Sequence, residues 1–163
     1  MPKIFMKLKE AKIIAEKYLN ELKPYCLKAK IAGSIRREKP EVKDIEIVCV
    51  PNIHQLINFC KKVNEWQKVK GEPTEKYTQR LLQENIKLDL FIATLDNWGL
   101  VYAIRTGSAE FSHKILACGW VKKGYHSRNG ILYNRNNEAA FIREEKDLFE
   151  LIGIDYIEPR LRI

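Results

Sequence analysis

Apolar residues recur at helical spacing near the start of the chain. Residues 7–22 carry them at positions 8, 11, 15, 18 and 22, with Lys and Glu between, a pattern that predicts an amphipathic helix. Residues 28–32 alternate as a short strand that ends at Gly33, and Pro40 closes the loop or helical turn that follows. Residues 43–50 are rich in β-branched side chains, which predicts a central strand.

The next segment continues the alternation of helix and strand. Asn52 is a candidate N-cap for a helix whose apolar positions are 56, 59, 63 and 66. Gly71 and Pro73 mark a turn, after which residues 75–82 and 86–94 read as two strands of a hairpin. We therefore expect a sheet of three or four strands up to about residue 94.

Beyond residue 94 the pattern becomes more helical. Asp96 is a candidate cap for a helix that ends at residues 106–108, a second helix is predicted over residues 109–123, and short strands and turns follow. The last helix is predicted over residues 144–152, ended by Gly153. The three Trp residues fall at apolar positions, so we expect them in the core. The predicted class is α+β, with a larger domain over 1–94 and a smaller lobe over 95–163.

Composition narrows the functional classes. The chain has 163 residues, 45% hydrophobic and 31% charged, which excludes disorder and a disulfide scaffold and is too short for a multi-domain enzyme. Its net charge is +8, concentrated in residues 1–30 and 101–140. Such zones suit a phosphate backbone, although a solvated Lys-rich helix face would give the same charge pattern.

The four cysteines are scattered, without a C-x-x-C pair and away from the three histidines, which argues against a zinc site. We expect reduced thiols and a cytoplasmic protein, because no secretory leader is evident. No apolar stretch approaches the ~20 residues needed to cross a bilayer, so we expect no membrane partner.

Three carboxylates fall on predicted strands. Asp44 and Glu46 are two residues apart and leave the same face of one strand, and Asp89 lies on a later strand. If the two strands are neighbours, the three side chains converge. Oxygen-only ligands suit Mg²⁺ or Mn²⁺, and two such ions can catalyse in-line phosphoryl transfer. Taken singly, each acid is more often a solvated strand residue.

A Gly-Ser turn precedes these acids. Gly33 and Ser34, followed by Arg36 and Arg37, offer backbone N–H groups, a hydroxyl and guanidinium groups, which together can hold a triphosphate. A tight turn with two surface arginines is the alternative interpretation of this segment alone.

The ordered combination G-S-x-R-R, D-x-E and a later lone Asp resembles the nucleotidyltransferase superfamily, and its spacing resembles the family X DNA polymerases. The turn Arg105-Thr106-Gly107-Ser108 and the tail over residues 144–159, expected as a helix and a closing strand, are also similar to that family. The resemblance spans residues 30–160. It implies a palm, made of a mixed sheet with helices on one side, and a small C-terminal α+β lobe that resembles a thumb.

The resemblance also implies roles for individual residues. Two Mg²⁺ ions, with Mn²⁺ as an alternative, would be bound by Asp44, Glu46 and Asp89, the last of these nearest the primer 3′ hydroxyl. The incoming nucleotide would be bound by Gly33, Ser34, Arg36, Arg37, Lys43, Arg105, Thr106, Gly107 and Ser108, where the family has a cis Gly-Ser peptide. DNA would be bound by Lys87, Lys114, Lys122, Lys123, His126 and Arg128.

Departures from the family pattern refine these expectations. Glu46 replaces an Asp, which favours Mn²⁺ more than usual, and Ile104-Arg105 replaces an aromatic pair that excludes ribonucleotides in many relatives. We therefore hypothesise weak sugar discrimination. Only one helix precedes the motifs, so we expect no lyase domain, a monomer with low processivity, and filling of short gaps in DNA repair.

Two other functions stay open. One keeps the chemistry and changes the acceptor, as in a terminal transferase or an enzyme that modifies RNA, protein or a small molecule. The other is a non-catalytic nucleic-acid-binding module. The three clustered acids argue against it, because a silent protein has no physical reason to keep repelling charges together.

Overall fold

A five-stranded mixed sheet forms the first lobe of the computed structural model, which describes residues 5–163. The strands, in spatial order, are β2 (Cys26–Ile31), β4 (Asp44–Pro51), β7 (Lys87–Ile92), β6 (Tyr77–Leu81) and β5 (Gln67–Lys70). Strands β4 and β7 are parallel, and the other neighbours are antiparallel. A separate two-stranded sheet pairs β1 (Met6–Lys7) with β3 (Glu41–Val42).

Helices cover the two faces of this sheet differently. On one face, α1 (Leu8–Leu22) and α3 (Leu56–Asn64) pack on Ile45, Ile47 and Leu88, all fully buried. On the other face, α4 (Trp98–Thr106) packs Trp98 and Tyr102 against the strands. Alternation along β4 places Ile45 and Ile47 on the first face and Glu46 on the second, which is the face that the second lobe approaches.

The second lobe has its own core. Its helical segments after α4 are α5 (Ala109–Phe111), a π-helical stretch (Ser112–Ala117), α6 (Cys118–Lys122) and α7 (Glu145–Ile152). Its three-stranded antiparallel sheet consists of β8 (His126–Arg128), β9 (Ile131–Tyr133) and β10 (Ala139–Ala140). Leu116, Trp120 and Phe149 are buried at its centre. The short α2 (Gly33–Arg36) connects β2 to the loop before β3.

Most predicted elements are confirmed. The first helix, the central strand and the hairpin lie where the pattern places them. Asn52 caps a 3₁₀ turn (Ile53–Gln55) that leads into α3, because its side chain accepts a hydrogen bond from the His54 backbone N–H at 3.0 Å. Gly153 ends α7 in the left-handed conformation, with φ at 77°. All three Trp residues are buried, which confirms their predicted place in the core.

Three expectations are wrong. The sheet has five strands rather than three or four, because residues 67–70 pair with β6 although all four are exposed and carry no alternation. Asp96 does not cap α4; its carboxylate instead pairs with Arg143 at 3.1 Å. The tail contains no closing strand among the described residues, because the chain after α7 is irregular and then forms a 3₁₀ turn (Pro159–Leu161).

Two features bear on partners and redox chemistry. No helix within residues 5–163 combines the length and the apolar character needed to span a membrane. Cys26, Cys49, Cys60 and Cys118 are all free thiols. The first four residues of the predicted larger domain lie outside the described residues.

The close approach of α4 to the start of α7 predicts an effect of a small substitution. A methyl group added at Gly99 would overlap the backbone of Glu144, whereas one at Gly119 would meet only the Ile152 side chain at 3.2 Å. We expect Gly99→Ala to lower the free energy of unfolding by about 1–3 kcal/mol, because backbone must move. Urea denaturation, with Gly119→Ala as the control, measures this. Equal stability of the two variants would contradict the close approach at Gly99.

Candidate active site

Two of the predicted acids lie side by side on neighbouring parallel strands. Glu46 on β4 is in register with Asp89 on β7, and Asp44 is in register with Lys87. Residues opposite each other in a sheet leave the same face. The expectation that these strands are neighbours is therefore correct, and the acids share the face towards the second lobe.

The Glu46 carboxyl lies in an acidic and buried environment. Burial, together with the nearby Asp89 and Asp44 carboxylates, raises its pKa to about 7, although Arg37 acts in the opposite direction. The Gly33 backbone is the reason that Glu46 fits there. Gly33 has a φ of 63° and a Cβ at that position would collide with the Glu46 carboxylate.

Two residues that the sequence analysis missed hold Asp89 in place. The Tyr77 hydroxyl donates a hydrogen bond to Asp89 Oδ1 at 2.5 Å, and the Gln79 side-chain amide donates to the same atom at 2.8 Å. Asp89 is only 8% exposed. Burial and the Asp89 carboxylate raise the pKa of Tyr77, so this phenol stays a donor at neutral pH. The alternation along residues 75–82 could have identified these two residues, because it puts positions 77 and 79 on the Asp89 face of the hairpin.

The three acids offer oxygen donors of the kind that the expected cations, Mg²⁺ or Mn²⁺, prefer. Among residues 5–163, no three His, Cys, Asp or Glu side chains form a metal-binding group, so the three acids are neighbours without being a finished ligand shell. Their chemistry nevertheless fits a hard divalent cation, since all donors are oxygens. Burial raises the pKa of Glu46, and the negative charge of the neighbouring carboxylates raises it further. Tyr77 and Gln79 hold Asp89 in one orientation, as residues that surround a metal site hold the metal's ligands.

A cleft of about 280 Å³ opens beside these acids. Its walls include both acids of β4 and five of the nine predicted nucleotide-binding residues, namely Ser34, Arg37, Lys43, Arg105 and Gly107. Arg37 donates a hydrogen bond to the Thr106 carbonyl at 2.5 Å. Its Nε is buried and has no hydrogen-bond partner within residues 5–163. A cationic donor without a partner is suited to an anionic ligand.

Arg36 has a different place from the one predicted. Its guanidinium makes two hydrogen bonds to Glu145, at 2.6 and 2.8 Å, and a third to Thr106 Oγ1 at 2.7 Å. It also stacks on the Tyr102 ring at 3.9 Å. Arg36 therefore ties the two lobes together, and it is not among the residues that line the acidic cleft.

The predicted turn at the base of the cleft is present. Gly107 has a φ of 70°, and its peptide bond to Ser108 is cis. Thr106 is fully buried and donates to the Tyr102 carbonyl at 2.7 Å, while Ser108 Oγ accepts from the Phe111 N–H at 3.2 Å. The hydroxyl groups of Thr106 and Ser108 thus make hydrogen bonds within the fold, and Gly107 is the residue of this turn that lines the cleft.

The two flexible cations at the rim have partners. Lys43 Nζ lies 3.9 Å from Asp44 Oδ2, and the Arg105 guanidinium stacks 4.3 Å above the Phe91 ring. Both side chains reach the cleft from opposite lobes, Lys43 from the first and Arg105 from the second. A polyanion in the cleft would therefore meet positive charge on both sides.

The predicted DNA-binding residues are dispersed. Lys87 shares the face of Asp89 on β7. In the second lobe, Lys114 pairs with Glu110 at 2.7 Å, and His126 and Arg128 both stack on Tyr133. Lys122 and Lys123 are exposed at the end of α6. None of these six residues lines the acidic cleft, so any role in DNA binding lies outside it.

Comparison with known proteins identifies the fold. Residues 101–163 match the family model for the DNA polymerase beta thumb. Among solved structures, polymerase beta from Leishmania infantum, in a ternary P/T complex, superposes with a TM-score of 0.76 at 14% identity, over 98% of this chain and 77% of that one. In all, 237 solved chains match this one. No curated protein sequence matches.

The chain has a fold similar to that of DNA polymerase beta. The sequence-based resemblance and the α+β class with a mixed sheet are thus confirmed. Within that fold, the acidic cleft lies where β4 and β7 of the first lobe face the turn of the second lobe.

The tie between the lobes predicts a large effect on stability. Glu145 is 8% exposed and binds Arg36 and also Arg162, whose Nη1 lies 2.7 Å from Glu145 Oε2. We expect Glu145→Gln to lower the free energy of unfolding by about 3–5 kcal/mol, because two buried guanidinium groups lose their counter-charge. The exposed Glu150→Gln on the same helix is the control, expected to change it by less than about 0.5 kcal/mol. Urea denaturation measures both.

The pH dependence of stability tests the same buried carboxylate. Burial alone would raise the pKa of Glu145, but the hydrogen bonds and charges of Arg36 and Arg162 outweigh it and hold this pKa below its ordinary 4.5. A lowered carboxyl pKa stabilises the folded state above the unfolded pKa, and this contribution disappears as the pH falls through the folded pKa. Below about pH 4.5 the native chain should therefore lose stability more steeply than Glu145→Gln. Parallel pH profiles would contradict the buried ion pair.

Proposed function

We propose that this chain is a metal-dependent DNA polymerase that adds nucleotides to a primer 3′ hydroxyl across short gaps. The observation that carries the proposal is the register of Glu46 beside Asp89, with Asp44 on the same face. The family X fold supplies the context. Fold alone does not determine the acceptor, so the proposal depends on the chemistry of the cleft.

The acids and the cations of the cleft have complementary tasks. Asp44, Glu46 and Asp89 would hold divalent cations, which when bound activate the attacking hydroxyl and stabilise the leaving oxygen. Ser34, Arg37 and Lys43 line the same cleft and would hold the triphosphate. Tyr77 and Gln79 keep the Asp89 carboxylate in one orientation, which is a requirement for a group that must face the reacting hydroxyl.

Arg105 bears on the choice of sugar. Its guanidinium lies over Phe91 at the rim of the cleft, where an aromatic pair would present a rigid wall. A flexible cation is a weaker steric barrier to a ribose 2′ hydroxyl. We therefore propose that ribonucleotides are accepted together with deoxynucleotides.

Primer extension tests the proposal. Labelled primers on single-stranded, recessed and one-nucleotide-gapped DNA are incubated with each dNTP or rNTP in Mg²⁺ or Mn²⁺. We expect addition of the templated nucleotide, strongest on the gap, and a loss of at least ~100-fold in Asp89→Ala. Asp96→Ala serves as the matched control and should keep its activity, because this half-exposed side chain does not line the acidic cleft. Thermal unfolding establishes that both variants fold.

The outcomes separate the competing functions. Untemplated addition would indicate a terminal transferase. Nucleotide binding without any addition to DNA would indicate another acceptor, to be sought among RNA, proteins and small molecules. An activity that survives Asp89→Ala unchanged would overturn the assignment of the acids, and binding of DNA without nucleotide binding would indicate a non-catalytic module.

A further inference from the structure

A second and larger cleft lies on the other side of α4. It has a volume of about 970 Å³ and runs between the edge strand β2 and the start of α7. Lys28 and Lys30 of β2 are in register with Val50 and Val48, which pack against α4. These two lysines therefore leave the same sheet face as Glu46. Helix α4 divides that face into an acidic cleft and this second one.

The second cleft is basic. Five cations line it, Lys23, Lys28, Lys30, Arg36 and Lys146, against two acids, Glu144 and Glu145. Glu145 is already neutralised by Arg36 and Arg162, and Glu144 pairs with Lys28 at 3.0 Å. No ion pair or side-chain hydrogen bond within residues 5–163 involves Lys23, Lys30 or Lys146. Three exposed cations thus face the cleft without a counter-charge, and together they give it a positive potential that attracts anions.

The aromatic residues of the cleft are covered. Trp98 is 2% exposed, and Lys28 Nζ lies 5.3 Å from its ring centre; Tyr102 is 8% exposed beneath Arg36. Bases that bind by stacking need open rings, and this cleft offers none. It presents charge instead, so it favours a ligand recognised by its phosphates rather than by its bases.

We propose that this basic cleft binds the phosphodiester backbone of a nucleic acid strand outside the acidic cleft. Lys23, Lys30 and Lys146 contact successive phosphates, and Lys28 exchanges Glu144 for a phosphate. The proposal deepens the proposed function, because it supplies a DNA grip that the dispersed cations of the second lobe do not concentrate. It also implies binding with little sequence preference and a steep dependence on salt.

Charge-matched variants test the proposal. The cleft variant replaces Lys23, Lys30 and Lys146 by Gln. The control variant replaces Lys9, Lys12 and Lys61 by Gln; these are equally exposed, have no side-chain partner within residues 5–163, and lie on α1 and α3, away from the cleft. Both variants lower the net charge by the same amount. Since none of the six exposed lysines makes an ion pair or a side-chain hydrogen bond in the described part of the chain, both variants should keep the thermal stability of the native chain.

Binding of a labelled single-stranded oligonucleotide is followed by fluorescence anisotropy over a range of salt concentrations, in EDTA. The cleft variant should bind at least about tenfold more weakly at low salt, and the slope of log K against log[salt] should fall by about 2, as expected for three lost phosphate contacts. The control variant should keep the native slope. Equal losses in the two variants would overturn the proposal, because they would show general attraction without a site.

A second experiment distinguishes a nucleic acid from a free polyphosphate as the ligand of the basic cleft. Inorganic tripolyphosphate is titrated against all three proteins by calorimetry. If the cleft variant loses tripolyphosphate binding but keeps its DNA affinity, the cleft is a site for free polyphosphates and the nucleic acid assignment is wrong. If it loses DNA affinity, the assignment holds.

The outcome is independent of catalysis. Binding in EDTA needs no cation in the acidic cleft, so a cleft-dependent DNA affinity in a protein without polymerase activity would support this proposal and contradict the proposed function. Conversely, primer extension with equal DNA affinity in the two lysine variants would support the proposed function and overturn the proposal that the basic cleft binds nucleic acid. Extension on a short primer-template should be less affected in the cleft variant than on one with a long single-stranded overhang.

Discussion

The buried carboxylate of Glu145 holds the two lobes in their relative position. It receives Arg36 from α2 of the first lobe and Arg162 from the C-terminal tail. Taking these three charges out of water is expensive, and the cost is recovered only if each donor is well placed. Arg162 is fully buried and even leaves its Nη2 without a hydrogen-bond partner in the described chain. The arrangement therefore serves geometry more than stability.

That geometry reaches the acidic cleft through two adjacent residues. Arg36 and Arg37 follow each other at the end of α2, where successive side chains point about 100° apart. With Arg36 fixed on Glu145, Arg37 is directed to the Thr106 carbonyl and to the cleft. The tie thus positions Arg37, which is proposed to bind phosphate, and it keeps the second-lobe turn at Gly107 opposite the acids of β4.

Local patterns predicted most of the fold and part of the site. Segments with a strong apolar period, such as α1 and β4, were predictable because burial on one face dictates their spacing. The edge strand β5 was not, because its stability comes from pairing with β6 and none of its side chains is buried. Asp44, Glu46 and Asp89 could be placed on one face from strand alternation and the assumption that their strands are neighbours. The two arginines of α2 could not be told apart, since the partner of Arg36 lies 109 positions away in the sequence.

Opposite charges are separated on one sheet face, and the separation has a physical basis. The acids of β4 and β7 share one face, where Tyr77 and Gln79 orient Asp89, and burial with mutual repulsion raises the pKa of Glu46. The lysines of β2 lie on the other side of α4. The buried Trp98 and Tyr102 of α4 are covered by cations. Helix α4 therefore separates the two charge clusters and prevents them from neutralising each other. The phosphates of a nucleic acid strand that spans both clefts would lie close to cations. The strand would lie close to the acids only at the place where the proposed metal-dependent reaction needs them. Neutralisation of one cluster by the other would remove both properties, so the packing of α4 between the clusters matters for the proposed function.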